Sequence, residues 1–190
     1  MSGLSVSPVG ESRYASPGPL RDLVGDRIVL RPWRLDQAAD LSRIVADQQI
    51  GQWNPVPAAD ETLAAAWIQS RREWTDHATW AVLGTDQTIL GSISLFHLDP
   101  ANAAGEVGYW VALEARGQGV APRALTAVCA FAFADLGLER LELFHAVENT
   151  ASCAAATKAG FILEGTLRSS YRYADGLLHD EHVHSRLPSD

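Results

Sequence analysis

The sequence predicts a mixed α/β fold built on one sheet, and three observations point there. The chain has 190 residues, 47% of them apolar, a length typical of one domain, about 100–200 residues. Three strand-like segments follow one another between residues 79 and 112, and strand and helix patterns then alternate to the C-terminus. No segment repeats another. A run of strands followed by alternating elements fits a mixed sheet covered by helices. A chain this long buries about 70% of its extended surface, so it needs neither disulfides nor a metal to fold.

The elements follow in order. Residues 1–22, punctuated by Pro8, Pro17, Gly18 and Pro19, read as a flexible arm, and 23–190 as a single domain. Arg27–Trp33 alternates apolar and basic residues as a strand requires. Asp36 then caps a helix whose apolar stripe includes Ala39, Leu41, Ile44 and Val45. Trp53-Asn54-Pro55-Val56-Pro57 reads as a loop, because proline breaks regular pairing and restricts its predecessor. A second helix is expected from about Asp60 to Asp76. Thr79–Gly84 and Thr88–Leu98 flank Asp86-Gln87 as a hairpin, and Glu106–Ala112 is the next strand. An alanine-rich helix from Ala121 to Leu136 closes at Gly137. Leu141–Ala146 is extended, Thr150–Ala159 helical and Phe161–Tyr173 extended, and Asp175-Gly176 turns the chain into a last strand, Leu178–Leu187.

Charge narrows the function classes. A formal net charge of −8 excludes the clustered basic footprint of a nucleic-acid binder. The basic residues are fourteen arginines and one lysine, Lys158. No apolar stretch approaches a membrane span, and residues 1–20 lack a basic segment followed by an apolar run. Cys129 and Cys153 both fall in helical stretches and read as small buried hydrophobes. The expectation is a cytoplasmic protein without nucleic-acid or membrane partners.

The segment richest in chemistry runs from Gly105-Glu106-Val107-Gly108-Tyr109-Trp110-Val111 to Arg116-Gly117-Gln118-Gly119-Val120-Ala121. A strand there meets a glycine-bearing turn that opens onto a helix. Free N–H groups and the helix dipole at such a terminus favour a phosphate or pyrophosphate, and Arg116 and Arg123 add positive charge. No Gly-Lys-Ser/Thr loop is present, and Gly117-Gln118-Gly119-Val120-Ala121-Pro122 lacks the last glycine of a dinucleotide fingerprint. The residues alone thus indicate a phosphorylated ligand of unspecified identity.

Arg116-x-x-Gly119-x-Ala121, the Glu106–Val111 strand and Asn149 with Lys158-Ala159-Gly160-Phe161 resemble the GNAT N-acetyltransferase superfamily over residues 27–187. Leu30-Arg31-Pro32-Trp33, Asn149-Thr150-Ala151-Ser152 and Asp175-Gly176 with His179-Asp180 are similar to its RimJ/RimL branch, which acetylates N-terminal amines of ribosomal proteins. The resemblance implies a mixed, mostly antiparallel sheet of about seven strands, splayed between the fourth and fifth and flanked by about four helices. It implies acetyl-CoA as co-substrate, no metal, and direct attack by a neutral amine.

Carried onto this chain, the cofactor-binding set is Val111, Arg116, Gly117, Gln118, Gly119, Val120, Ala121 and Asn149. The Gly119 loop would hold the pyrophosphate, and a Val111-region N–H would face the developing oxyanion. The branch's proposed acid, three residues after the asparagine, falls on Ser152, whereas the tyrosine of many relatives is replaced by Ala156. Glu106 stands where many family members keep a glutamate base. The branch's own base position falls on Tyr171, so Glu106, Tyr171 and water all stay open for that role. Trp53 and His97 are expected at the acceptor side. The acceptor is a protein N-terminus or a small-molecule amine, and a homodimer is one arrangement open to the chain. A non-catalytic acyl-CoA sensor is the alternative, disfavoured by the presence of Glu106 and Ser152. His182 and His184 share a strand face, yet the tract lacks the His-Glu-x-x-His spacing of zinc hydrolases and reads as strand decoration.

Overall fold

The computed structural model describes residues 20–72, 74 and 77–190. The arm expected at residues 1–22 lies outside the described residues up to position 19. Its last residues are placed: Leu20 packs on the core, the Arg21 carbonyl accepts from Trp80 Nε1 at 3.0 Å, and Asp22 pairs with Arg31.

Among the described residues the sheet has eight strands, β1 (Leu23–Gly25), β2 (Ile28–Pro32), β3 (His77–Leu83), β4 (Ile89–Asp99), β5 (Ala104–Val111), β6 (Arg140–Ala146), β7 (Ile162–Arg172) and β8 (Leu178–Arg186). Their order is β1-β2-β3-β4-β5-β6-β8-β7, antiparallel except for β5 with β6. The added strand is β1, a three-residue segment too short to show alternation. The helices are α1 (Ala38–Val45), α2 (Gln48–Trp53), α3 (Glu61–Ser70), α4 (Val120–Ala134) and α5 (Thr150–Lys158).

Among the described residues there are five helices where about four were expected, because the chain restarts after α1. The Asp47 carboxylate accepts from Gln49 N and Ile50 N, capping α2. Trp53 is therefore the last residue of a helix, not part of the Pro55 loop. The helix expected to reach Asp76 ends at Ser70, with Arg71 as its cap.

Two aromatic clusters fill the two faces of the sheet. Trp33 packs against Trp67 of α3 and Trp110 of β5, with centroids 5.9 and 6.2 Å apart. On the other face, Trp74 and Trp80 meet Phe131 of α4 at 5.8 and 5.9 Å. Each such ring buries 150–250 Å² of surface. The helix α5 lies beside α4, over β6 and β7.

One topological detail makes the site. The parallel pairing of β5 with β6 covers only Ala104↔Arg140, Gly105↔Leu141 and Glu106↔Glu142. Beyond Glu106, β5 keeps its partner β4, while β6 goes on with β8. The strands part there into a V, at the place the resemblance implied.

Candidate active site

The turn after β5 carries the first half of the site. Gly117 and Gly119 take φ of +74° and +73°, a left-handed conformation that costs a side-chain-bearing residue but not glycine. Gly119 is the N-cap of α4, so the first-turn N–H groups of that helix open into a cavity of about 300 Å³. The cavity is lined by Val111, Arg116, Gly117, Gly119, Val120, Ala121, Asn149, Ser152, Trp53 and Lys158, among others. Seven of the eight residues expected to hold the cofactor are among them. Gln118 is not; its side chain turns back to the Glu114 carbonyl at 2.8 Å.

The charge around this turn is arranged differently from the simplest reading. Arg116 is engaged by protein: its guanidinium meets the Asp47 carboxylate, donates to Gln49 Oε1 at 2.9 Å, and reaches the Val111 carbonyl at 3.3 Å. The Arg116 hydrogen bond, and after it the Ile50 N–H, hold the Asp47 carboxyl below the usual range against the opposing effect of burial. Arg123 is the freer cation. Its Nε is buried without a partner, and Nη1 lies 3.8 Å from where a Cβ on Gly119 would stand. Lys158, conspicuous in sequence only as the single lysine, lines the same cavity from the end of α5.

The second half of the site is the start of α5. Asn149 caps the helix by accepting from Ser152 N at 3.1 Å. The Ser152 hydroxyl stands 2.9 Å from the Tyr109 hydroxyl, which also reaches the Ser152 carbonyl at 3.3 Å. Burial pushes the Tyr109 phenol up to about 12, so it stays protonated as a donor at neutral pH. Sequence reading missed Tyr109. Its partner lies 43 residues away, and no local spacing signals that contact.

A smaller cleft of about 40 Å³ adjoins the first. The two share Trp53, Asn54, Tyr109, Asn149 and Ser152. Its far wall includes Val107, Leu143, His145 and Tyr173. Trp53 meets Tyr173 edge-on at 5.3 Å, and Gln52 ties α2 to the β7–β8 turn through Asp175 at 3.2 Å. The Tyr173 hydroxyl donates to the buried Glu181 carboxylate at 2.8 Å, and burial together with that carboxylate raises the phenol's pKa.

Besides Gln118, three expected site residues stand apart from both cavities. Glu106 shares the Trp110 face of β5, opposite Tyr109, because side chains alternate along a strand. It is bonded to His97 Nδ1 at 3.0 Å, and burial raises its pKa while His97 opposes the rise. His97 itself sits at a strand irregularity with φ +48° and is 77% exposed. Tyr171 is 53% exposed, since β7 breaks register between Leu167 and Tyr171 around Ser169 at φ +47°. Tyr173, two residues on, occupies the cleft instead.

Comparison with known proteins gives the same picture. The family profile of the acetyltransferase (GNAT) domain matches residues 27–162. The Bacillus subtilis protein YdaF, provisionally named a ribosomal N-acetyltransferase, is 33% identical over 174 residues, 86% of this chain and 93% of its own. The ribosomal-protein-serine acetyltransferase of Escherichia coli is 28% identical over 111 residues, covering 58% of this chain and 62% of its own. Mycobacterium smegmatis RimJ, solved in complex with a coenzyme A disulfide, superposes with a TM-score of 0.74 at 27% identity, over 90% of this chain and 87% of that one. With its splayed sheet, its glycine turn and these relatives, the chain belongs to the GNAT acetyltransferase family, on the side of the RimJ/RimL-like enzymes.

Proposed function

We propose that this acetyl-CoA-dependent N-acetyltransferase acts on the α-amine of a protein N-terminus. The observation that carries the reading is the junction of the two cavities at Ser152 and Tyr109. In this reading the large cavity holds coenzyme A, with pyrophosphate against the Gly119 turn near Arg123 and Lys158. The thioester then lies at the junction, and the amine enters from the small cleft. As the amine attacks, charge develops on the carbonyl oxygen near the β5 amides. Ser152 donates its proton to the departing thiolate and takes one from Tyr109, while the amine nitrogen loses a proton to solvent, which in turn reprotonates Tyr109.

The choice of an α-amine rests on what the cleft lacks. Among the described residues its lining contains no carboxylate, Glu106 lies across the strand, and its one imidazole, His145, has both nitrogens engaged, by the Ala146 carbonyl and by His184. A site without a strong base favours an acceptor that deprotonates by itself. An α-amine has pKa about 7.7–8.0 against about 10.4 for lysine, so at pH 7 its neutral fraction is larger by about 300-fold. The names of the relatives, which speak of ribosomal proteins, agree with a polypeptide acceptor working in the cytoplasm.

The test is coenzyme A release from acetyl-CoA with a panel of short peptides, some with free N-termini and some N-blocked with an internal lysine. Free N-termini should be acetylated at least about a hundredfold faster at pH 7. Equal rates on both classes would overturn the α-amine reading. Tight acetyl-CoA binding with no release on any peptide, amino acid or polyamine would point instead to a sensing module.

A further inference from the structure

The geometry points to a metal site beneath α5, made by His145, Cys153, His182 and His184, that takes one zinc ion as a structural clamp. One donor atom from each of these residues lies within 4.8 Å of the other three. The residues come from three elements. His145 of β6 stands opposite His182 of β8 in the antiparallel register, and His184 is two residues further along the same face. Cys153, in the first turn of α5, closes the group from above and forms no disulfide.

Local hydrogen bonding shows a donor set without enough protein partners. His145 Nδ1 bonds the Ala146 carbonyl at 2.8 Å, which fixes the tautomer and turns the Nε2 lone pair inward. That Nε2 faces His184 Nε2 at 3.1 Å. Two imidazoles on one tetrahedral zinc, with Zn–N about 2.0–2.1 Å, place their nitrogens about 3.3 Å apart. Without metal the gap is bridged by one proton, and His182 Nδ1 and His184 Nδ1 stay buried with no partner. Orphaned buried polar atoms are rare and each calls for an explanation.

Three imidazoles and a thiol are a borderline-soft set, which selects zinc over magnesium or calcium. His145 and His184 are buried and Cys153 and His182 half-buried, and four protein donors fill a tetrahedral shell, leaving no open position for substrate. That closure marks a structural site, not a catalytic one. Drawing the donors together needs about 1 Å of movement to reach tetrahedral spacing. Binding deprotonates Cys153, whose proton leaves to solvent as the sulfur–zinc bond forms. The His184 Nε2 proton shifts to its unpartnered Nδ1. The bound ion would join β6, β8 and α5 one residue from Ser152.

Cobalt(II) titrated into the full, untagged chain, stripped with chelator and kept reduced with a phosphine, tests the site without reference to activity. The expected result is one equivalent of cobalt with the intense visible bands of a tetrahedral centre and a sulfur-to-cobalt charge-transfer band, displaced by zinc. Cys153→Ala should abolish the charge-transfer band, and His182→Gln should weaken binding at least about tenfold. Circular dichroism confirms that each variant is folded. Zinc should raise the Tm of the wild type, reversibly on chelation. A folded wild-type chain that gives only weak octahedral cobalt spectra would overturn the inference, as would a charge-transfer band that survives in Cys153→Ala.

Discussion

The pairing of Arg116 with Asp47 predicts that the motif arginine acts as a clamp on α2 more than as a phosphate ligand. Asp47 is 16% and Arg116 28% exposed, so the pair is shielded from most solvent screening. Hydrogen bonds to charged groups contribute about 1.5–3 kcal/mol, and Arg116→Ala should cost about 2 kcal/mol. For a chain of this size that is a fall in Tm of about 4–8 °C. Asp47→Asn should cost a similar amount while keeping a side-chain oxygen for the α2 cap. The double variant should show a coupling energy of at least about 1 kcal/mol in thermal or urea unfolding. The same pair sets a pH signature. Because the folded-state pKa of Asp47 is depressed, its contribution is present above the unfolded value of about 3.9 and is lost as pH falls through the lower folded value. Asp47→Asn should therefore lose less stability than wild type below about pH 4. Additivity within about 0.5 kcal/mol would refute the clamp. So would an Arg116→Ala variant that keeps its Tm while its acetyl-CoA KM rises.

Four further outcomes follow from the geometry. Gly119→Glu places a carboxylate beside the α4 N-terminus and strains a left-handed φ, so acetyl-CoA affinity by calorimetry should fall at least about a hundredfold. Ser152→Ala and Tyr109→Phe should each lower kcat by about 10²-fold with acetyl-CoA affinity nearly unchanged, and the double variant should be little worse than either; independent multiplication of the two losses in single-turnover assays would sink the relay. Burial raises the Glu106 pKa, so relative stability is greatest below the unfolded value of about 4.3 and is lost as pH rises through the folded value; Glu106→Gln should lack that loss, and parallel Tm–pH profiles would refute it. Gly91→Ala sets a Cβ 2.3 Å from the Trp110 carbonyl and must push β4 from β5, lowering stability by about 1–3 kcal/mol in urea unfolding.

What could be read from the sequence was local. The Arg116–Ala121 turn announced itself because glycine, helix start and preceding strand are contiguous, and its residues except Gln118 line one cavity. The hairpins at Asp86-Gln87 and Asp175-Gly176 were legible for the same reason: Gln87 and Gly176 carry the positive φ those turns require. Contacts between distant segments left no trace. Nothing in Asp47 marks it as the partner of a residue 69 positions on, or Tyr109 as the partner of Ser152. Carrying the branch's base position onto β7 reached Tyr171, yet it is Tyr173 that lines the cleft, beyond the register break around Ser169. His182 and His184 looked like decoration because the residues that complete their group, His145 and Cys153, sit on other elements.

The early parting of β5 from β6 leaves a seam through the molecule. On one side lie β1–β5 with α1–α4, and on the other β6–β8 with α5. From Val107 to Val111, the peptide groups turned toward β6 have no strand to bond. This is a sheet edge enclosed within a domain, and a linear ligand bearing amides can complete it as an added strand would. Amide deuterium exchange in that half of β5 should be fast in the empty protein and slow sharply once acetyl-CoA is bound. The same bridging couples the two sides mechanically, so saturation with ligand should sharpen unfolding as well as delay it. With acetyl-CoA placed as proposed, the co-substrate becomes part of the sheet's continuity while it is bound, and each release of coenzyme A reopens the seam.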